Sequence, residues 1–536
     1  APAALNSLNG LYGAFVDSIP MIVISGQPKQ EQNVGITGLP MRQYGDQEFD
    51  RIVETVKYLC KYAVKIVDGV DVHFEIEKAI KIAKRGRPGP VWLDIPMDMQ
   101  SRQVSSDLES NRLAPELTQK NYLMRQPKAS AEIIKLVFSK LKNSKRPLLY
   151  LGAQIRIYDG FSEIRKLIEN LKIPVVTSWN AHDLIETSNP FFCGRPGLRG
   201  ERSGNFICYS SDLIIAIGTK LSTRQIGFDE NNFAPEAFKI MVEADFFELH
   251  KPGLNIDLPI YSEPNEFVES LNELIHQNNV FNEIHKSWLL RARSIWDQWK
   301  PKKTDYPVKK SINPYHFLFD LFEILPEKTV TILGNGISVV GAFQTLEVKS
   351  DQLYFQNVGC ASMGYDLPAL LGAAKANDSR RLVCLTGDGS IQLNIQELST
   401  IKSHVKKATI IVINNNGYNS IMQSQVNIFG ETVKLHGVSC DTGVSIPDLA
   451  KISEAYGFEY IEIKKQDEIK NKINSALKKE LTIVEVFVDE SQMFEPKVGN
   501  KKNDDGSISA GSLINMMPEI SKIQQLEVID FLKSEI

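Results

Sequence analysis

The sequence predicts an α/β protein made of three doubly wound parallel-sheet domains. Short apolar runs of strand length alternate with helical-period stretches along most of the chain, the pattern of repeated strand–helix–strand units. Several runs end in glycine-rich or polar segments, as strands do at the ligand-binding edge of an open sheet. A length of 536 residues accommodates roughly three to four domains.

Residues 20–26 read as a buried strand ending in a turn, 75–85 as a helix, and 90–96 as a second strand, so residues 1–100 form a first domain. The chain opens Ala1-Pro2-Ala3-Ala4 and passes at once into domain-like sequence, which reads as a domain entered part-way. Residues 101–129 are polar and poorly periodic, a linker. Residues 130–300 carry strand candidates at 147–151, 174–177, 213–217 and 240–243 with helical stretches between them, a second parallel sheet. A basic segment at 298–312 is a second linker, 313–490 a third domain, and 491–536 a tail.

The net charge of −4 gives no support to nucleic-acid binding. No uninterrupted apolar run approaches membrane-spanning length, and no signal peptide opens the chain. The six cysteines show no CxxC spacing and read as reduced thiols of a cytoplasmic enzyme. No internal repeat is evident.

Residues 381–421 hold the functional centre. An apolar strand at 382–385 leads into Gly387-Asp388-Gly389-Ser390 and a helix over 392–404. A second strand at 409–413 ends in Asn414-Asn415-Asn416-Gly417. Gly387 and Gly389 let the backbone approach a ligand. Ser390 stands at a helix start, where an anion is favoured. Asp388, Asn415 and the Gly417 carbonyl are hard oxygen donors suited to Mg²⁺. Alone, either loop is an ordinary turn; together, each after a buried strand, they describe a diphosphate held through a metal. Gly334-Asn335-Gly336 follows a strand at 330–333. With Val339 in place of the third glycine it is a weak dinucleotide fingerprint, and it reads instead as a loop donating N–H groups to the same diphosphate.

The two loops resemble the GDG…NN signature of thiamine diphosphate enzymes, and nearly the whole chain resembles their acetohydroxyacid (acetolactate) synthase-like branch. The resemblance implies that Asp388, Asn415 and Gly417 bind Mg²⁺, and that Asn335, Gly336, Gly387, Gly389, Ser390 and Tyr418 contact thiamine diphosphate. Asn357-Val358-Gly359-Cys360-Ala361-Ser362-Met363-Gly364-Tyr365-Asp366 is similar to the segment that grips the aminopyrimidine. There the Ala361 carbonyl accepts from the exocyclic amine, and Met363 is the wedge that bends the cofactor. Asp17-Ser18-Ile19-Pro20 and the segment at 89–96 resemble the pyrimidine-binding domain, with Gln47 in a Gln47-Glu48 pair near the active site. The family's activating glutamate lies upstream of the segment resembling residues 1–26, and no counterpart is assigned. The stretches at 194–200 and 211–224 resemble a middle domain that holds FAD, making Gly152, Gly218 and Arg224 candidate FAD contacts. Glu495-Pro496-Lys497-Val498 and Asp505-Gly506-Ser507 resemble a C-terminal arm that covers the site, with a solvated polar extension as the other reading.

Acetolactate-forming enzymes usually have Trp where Ser424 stands and Arg near Met422. This departure implies a roomier, less basic acceptor pocket, as in synthase-like proteins of sugar and polysaccharide pathways. The implied reaction decarboxylates a 2-keto acid such as pyruvate and adds the acyl unit to a small carbonyl or a keto-sugar nucleotide. The implied assembly is a homodimer or homotetramer with sites shared between subunits. A simple decarboxylase and a cofactor-binding protein without turnover are the alternatives, the second favoured by the missing glutamate. A nicotinamide dehydrogenase would need a complete glycine fingerprint.

Overall fold

The structure is a computed structural model, and it describes residues 2–32, 51–67, 72–103, 128–278, 280–376, 379–430, 433–502, 505 and 508–534. Three all-parallel sheets organise it. The first contains β1 (Met21–Gln27), β2 (Tyr62–Lys65) and β3 (Pro90–Pro96), in the order β1-β3-β2. The second contains β4 (Pro147–Leu151), β5 (Val175–Thr177), β6 (Leu213–Ile217), β7 (Phe238–Glu243) and β8 (Leu258–Tyr261), in the order β5-β4-β6-β7-β8. The third contains β9 (Thr329–Leu333), β10 (Leu353–Gln356), β11 (Arg381–Gly387), β12 (Ala408–Asn414), β13 (Glu459–Ile463) and β14 (Leu481–Phe487), in the order β10-β9-β11-β12-β14-β13.

Every residue of β4, β6 and β9 is buried. That burial explains why these strands read as continuous apolar or β-branched runs rather than alternating ones, since helices cover both faces of a parallel sheet. In the second sheet the chain leaves β4 in one direction to β5 and in the other to β6. In the third it does the same around β9, with β10 on one side and β11 on the other. Such reversals open a crevice at the carboxyl ends of the strands. The tips of β4 and β6, and of β9 and β11, are therefore where ligands are expected.

Polar contacts join the three units. Arg87 pairs with Asp245 at 2.8 Å and Glu248 at 3.0 Å, tying the first domain to the second. Asp183 pairs with Arg156 and also accepts the Tyr354 N–H at 2.9 Å, tying the second to the third.

The structure revises two elements. The helix expected over 392–404 is a 3₁₀ turn, Ile391–Asn394, followed by an α-helix, Glu397–His404. Side chains compete for the backbone there: Gln392 donates to the Asp388 carbonyl at 3.1 Å and Asn394 to the Gly364 carbonyl at 2.8 Å. The tail is also more ordered than a polar extension. Its helix Lys522–Lys533 starts in a Ser521–Gln524 capping box. Val528, Ile529 and Leu532 then join the core of the second domain, and Arg202 donates to the carbonyls of Met516 at 3.2 Å and Pro518 at 2.7 Å. Most of the linker expected at 101–129 falls outside the described residues.

Candidate active site

The site forms where β9, β11 and β12 end together. Leu333 is in register with Leu385, and Gly387 with Ile413. The Gly334 N–H continues the pattern, donating to the Leu385 carbonyl at 2.8 Å, and the Asp388 N–H donates to the Ile413 carbonyl at 3.2 Å. Three loops thus leave the sheet side by side.

Asp388 is buried at the centre. Its carboxylate accepts the Gly389 N–H at 2.8 Å and the Gly417 N–H at 3.0 Å. Burial pushes this carboxyl up to about 6, while the backbone N–H groups pull the other way. The Asn loop is held by the Asn414 side chain, which accepts the Asn416 N–H at 2.9 Å. Asn416 has φ of 60° and Gly417 of 137°. A Cβ on Gly417 would overlap the Val438 carbonyl, and one on Gly389 would overlap the Tyr418 ring. Both glycines are therefore required by close approach. At Gly387 a Cβ would meet nothing within 4 Å, so this backbone borders open space.

Gly336, with φ of 63°, caps the helix Ile337–Thr345. Its N-terminus faces the same cavity through Gly336 and Ile337. This nine-residue helix, not the short 3₁₀ turn after Ser390, supplies the free N–H groups that suit an anion. Ser390 is engaged structurally: it donates to Asp366 at 3.0 Å and accepts the Gly364 N–H at 3.0 Å. Ala361 sits at a φ of 57°, and its carbonyl accepts from the Asn335 side chain at 3.1 Å. The first domain also reaches this loop, where Ser362 donates to Asn9 at 2.8 Å.

One cavity of about 230 Å³ brings together Asn335, Gly336, Ala361, Met363, Gly387, Asp388, Gly389, Ser390, Asn415, Gly417 and Tyr418. These are all the residues that the sequence reading assigned to thiamine diphosphate and metal in the third domain. Ile421 and Phe494 add apolar wall. Phe494 comes from the tail and carries no recognisable motif. Ser424 is exposed on the helix Asn419–Phe429, donating to the Ser420 carbonyl at 3.0 Å. Gln47 lies outside the described residues.

The sequence reading also missed the role of Asp366. This fully buried carboxylate accepts from Thr386, from Ser390 at 3.0 Å and from the Leu367 N–H at 3.1 Å. A Cβ on Gly334 would fall 2.6 Å from it. It therefore lies under three of the cavity's loops at once.

A second cavity, of about 340 Å³, lies at the β6 tip between all three domains. Gly218 and Arg224 line it, with Asp17 and Gly359 opposite. Arg224 also donates to the Val358 carbonyl. Gly152 is not on the wall. A Cβ there would overlap the Gly218 carbonyl, so the glycine is needed where the tips of β4 and β6 touch.

The oxygen donors expected for the metal in the first cavity are the Asp388 carboxylate, the Asn415 carboxamide and the Gly417 carbonyl. Among the described residues no cluster of three His, Cys, Asp or Glu could hold an ion alone. Such a set fits a hard cation whose other ligands are phosphate oxygens and water. No helix among the described residues is long and apolar enough to cross a membrane.

Three family models match the chain in order. They are the N-terminal TPP binding domain of thiamine pyrophosphate enzymes at residues 1–52, the central domain at 134–271 and the C-terminal TPP binding domain at 334–486. The chain is 27% identical to the probable acetolactate synthase large subunit of Methanocaldococcus jannaschii, over 92% of this chain and 80% of that one. It is 28% identical to the acetolactate synthase large subunit of Haemophilus influenzae (92% and 83%), and 29% identical to that of Porphyra purpurea (89% and 77%).

Proposed function

Because the chain belongs to the thiamine pyrophosphate enzymes and is acetolactate synthase-like, we propose that it decarboxylates a 2-keto acid such as pyruvate and joins the acyl unit to a carbonyl acceptor. The observation that supports this most is the single cavity in which the loops after β9, β11 and β12 meet.

Thiamine diphosphate, when bound, supplies the electron sink for breaking and making the C–C bond. Asp388, Asn415 and the Gly417 carbonyl would hold Mg²⁺. Backbone N–H groups at the start of the helix Ile337–Thr345 would meet the diphosphate. Met363 would set the cofactor's bend, and Ala361 would orient its amine. Phe494, buried on the cavity wall, and Ile421 at its rim would give the cofactor an apolar border. Ser424, small and exposed where acetolactate-forming enzymes usually carry Trp, supports a bulky acceptor such as a keto-sugar nucleotide over a second pyruvate.

The test is mass spectrometry of products from carbon-labelled pyruvate, thiamine diphosphate, Mg²⁺ and the purified protein, with pyruvate, aldehydes or keto-sugar nucleotides as acceptors. The expected result is a product carrying both label and acceptor carbons. Labelled acetaldehyde alone would mark a simple decarboxylase, and no product from any mixture would leave a binding protein without turnover.

The reading extends to FAD in the second cavity and to an assembly of two or four copies. Gly218 and Arg224 support the first. The likeness to acetolactate synthase large subunits supports the second, and Ile22 and Ile24, 40% and 61% exposed on β1, leave an apolar face for a further packing layer. Size-exclusion chromatography with light scattering and absorbance detection is expected to show a two- or four-chain particle with flavin colour co-eluting after FAD is supplied. A colourless peak removes FAD from the reading, and a monomer removes the assembly.

A further inference from the structure

The tail segment that carries Phe494 is fixed at successive positions. The Phe494 N–H donates to the Gln423 side chain at 3.3 Å, and the Glu495 N–H to the Tyr315 hydroxyl at 3.0 Å. The Pro496 carbonyl accepts from the Gln344 side chain at 2.6 Å, and the Val498 N–H donates to the Leu198 carbonyl at 2.8 Å. The last bond sets Lys497 and Arg199 on adjoining backbones. The Arg199 guanidinium lies 5.4 Å from the centre of the Phe494 ring, and Phe494 is part of the wall of the cofactor cavity.

Neither cation has a hydrogen-bonded acceptor among the described residues. Arg199 Nη1 is buried without a hydrogen-bond acceptor. Neither Arg199 nor Lys497 forms an ion pair with a described residue. Contact with the Phe494 ring stabilises the guanidinium through its face but leaves its in-plane N–H donors unused. Burial lowers the Lys497 amine, the neighbouring Arg199 lowers it further, and the Glu495 carboxylate opposes them only in part. With the Glu495 carboxylate near Lys497 alone, the two cations remain net positive, and a guanidinium beside an ammonium suits a further carboxylate or phosphate.

We propose that Arg199 and Lys497 form an anion-binding subsite beside the cofactor cavity, which takes the carboxylate or phosphate of a substrate. That the occupant is a substrate rests on the carboligase reading above; that the subsite binds an anion does not.

The experiment is calorimetric titration of the protein, saturated with thiamine diphosphate and Mg²⁺, with lactate, its uncharged methyl ester, and inorganic phosphate. Lactate keeps the carboxylate of a 2-keto acid without its reactive carbonyl, so turnover is not needed for the measurement. Arg199→Gln and Lys497→Met are each expected to weaken anion binding at least tenfold, with Lys497→Arg close to wild type. The ester is expected to bind weakly to every variant. Binding of lactate assigns the subsite to the keto acid's carboxylate, and binding of phosphate alone assigns it to a phosphorylated acceptor. The proposal is overturned if the wild type binds neither anion, or if both variants bind as tightly as wild type. Lys497 lies on the half-buried tail, so its variants report even where Arg199→Gln fails to fold.

Discussion

Asp388→Ala is expected to abolish retention of thiamine diphosphate and, with it, turnover. Asp388 is the one carboxylate among the described residues lining the cofactor cavity, and Mg²⁺ bound through a diphosphate takes one or two such ligands. Loss of an outer partner of a metal ligand already costs about 10–100-fold in affinity; loss of the charged ligand itself is expected to cost on the order of 100-fold or more. The carboxylate also orders the loop, since the Gly389 and Gly417 N–H groups both donate to it. Asp388→Asn keeps the size of the side chain while removing the charge. It should therefore weaken cofactor binding nearly as much as Asp388→Ala while disturbing the loop less. Equilibrium dialysis against thiamine diphosphate with Mg²⁺ measures both variants, and circular dichroism checks that they fold. Wild-type affinity in a folded Asp388→Ala protein would sink the metal assignment.

What was legible in the sequence, and what was not, divides along physical lines. Gly389 and Gly417 stand out because close approach leaves room for no other residue. Asp388 and Asn415 stand out because each follows an apolar run long enough to be a buried strand. Gly334-Asn335-Gly336 also reads as a loop for the same diphosphate, and its place beside the other two follows from the sheet order, with β9 next to β11. Gly152 shows the limit of reading glycines as ligand contacts, because this one is required by the backbone of Gly218. The helix expected over 392–404 begins as a 3₁₀ turn because Gln392 and Asn394 bond to backbone elsewhere. Phe494 was invisible because its place in the site depends on where a polar tail folds back. β2, β8, β10, β13 and β14 are missing from the sequence reading; β13, Glu-Tyr-Ile-Glu-Ile, is only partly buried and mixes charge with apolar residues, so it lacks a continuous apolar run.

Asp366→Ala is expected to destabilise the third domain and loosen its grip on the cofactor without touching the ligand. The Asp366 carboxylate takes hydrogen bonds from Thr386 at the end of β11 and from Ser390 beyond it. Ser390 in turn receives the Gly364 N–H from the aminopyrimidine loop. Removing the carboxylate leaves two buried hydroxyl donors short of an acceptor. At about 1–3 kcal/mol for each buried unsatisfied group, the cost is about 2–6 kcal/mol, measurable as a lowered urea midpoint. Asp366→Asn keeps an acceptor oxygen and isolates the role of charge. Burial raises the Asp366 carboxyl above its ordinary value, and its three hydrogen bonds only partly oppose that. A carboxyl raised in the folded state contributes stability that is fully present below its unfolded value and is lost as pH rises through its folded one. The difference in stability between wild type and Asp366→Asn should therefore shift in favour of the variant as pH rises from about 4. At neutral pH Asp366→Asn is expected to raise the KM for thiamine diphosphate more than it lowers kcat, because Asp366 positions loops and does not meet the reacting atoms. An unchanged cofactor KM in both variants would show that the carboxylate serves only the core.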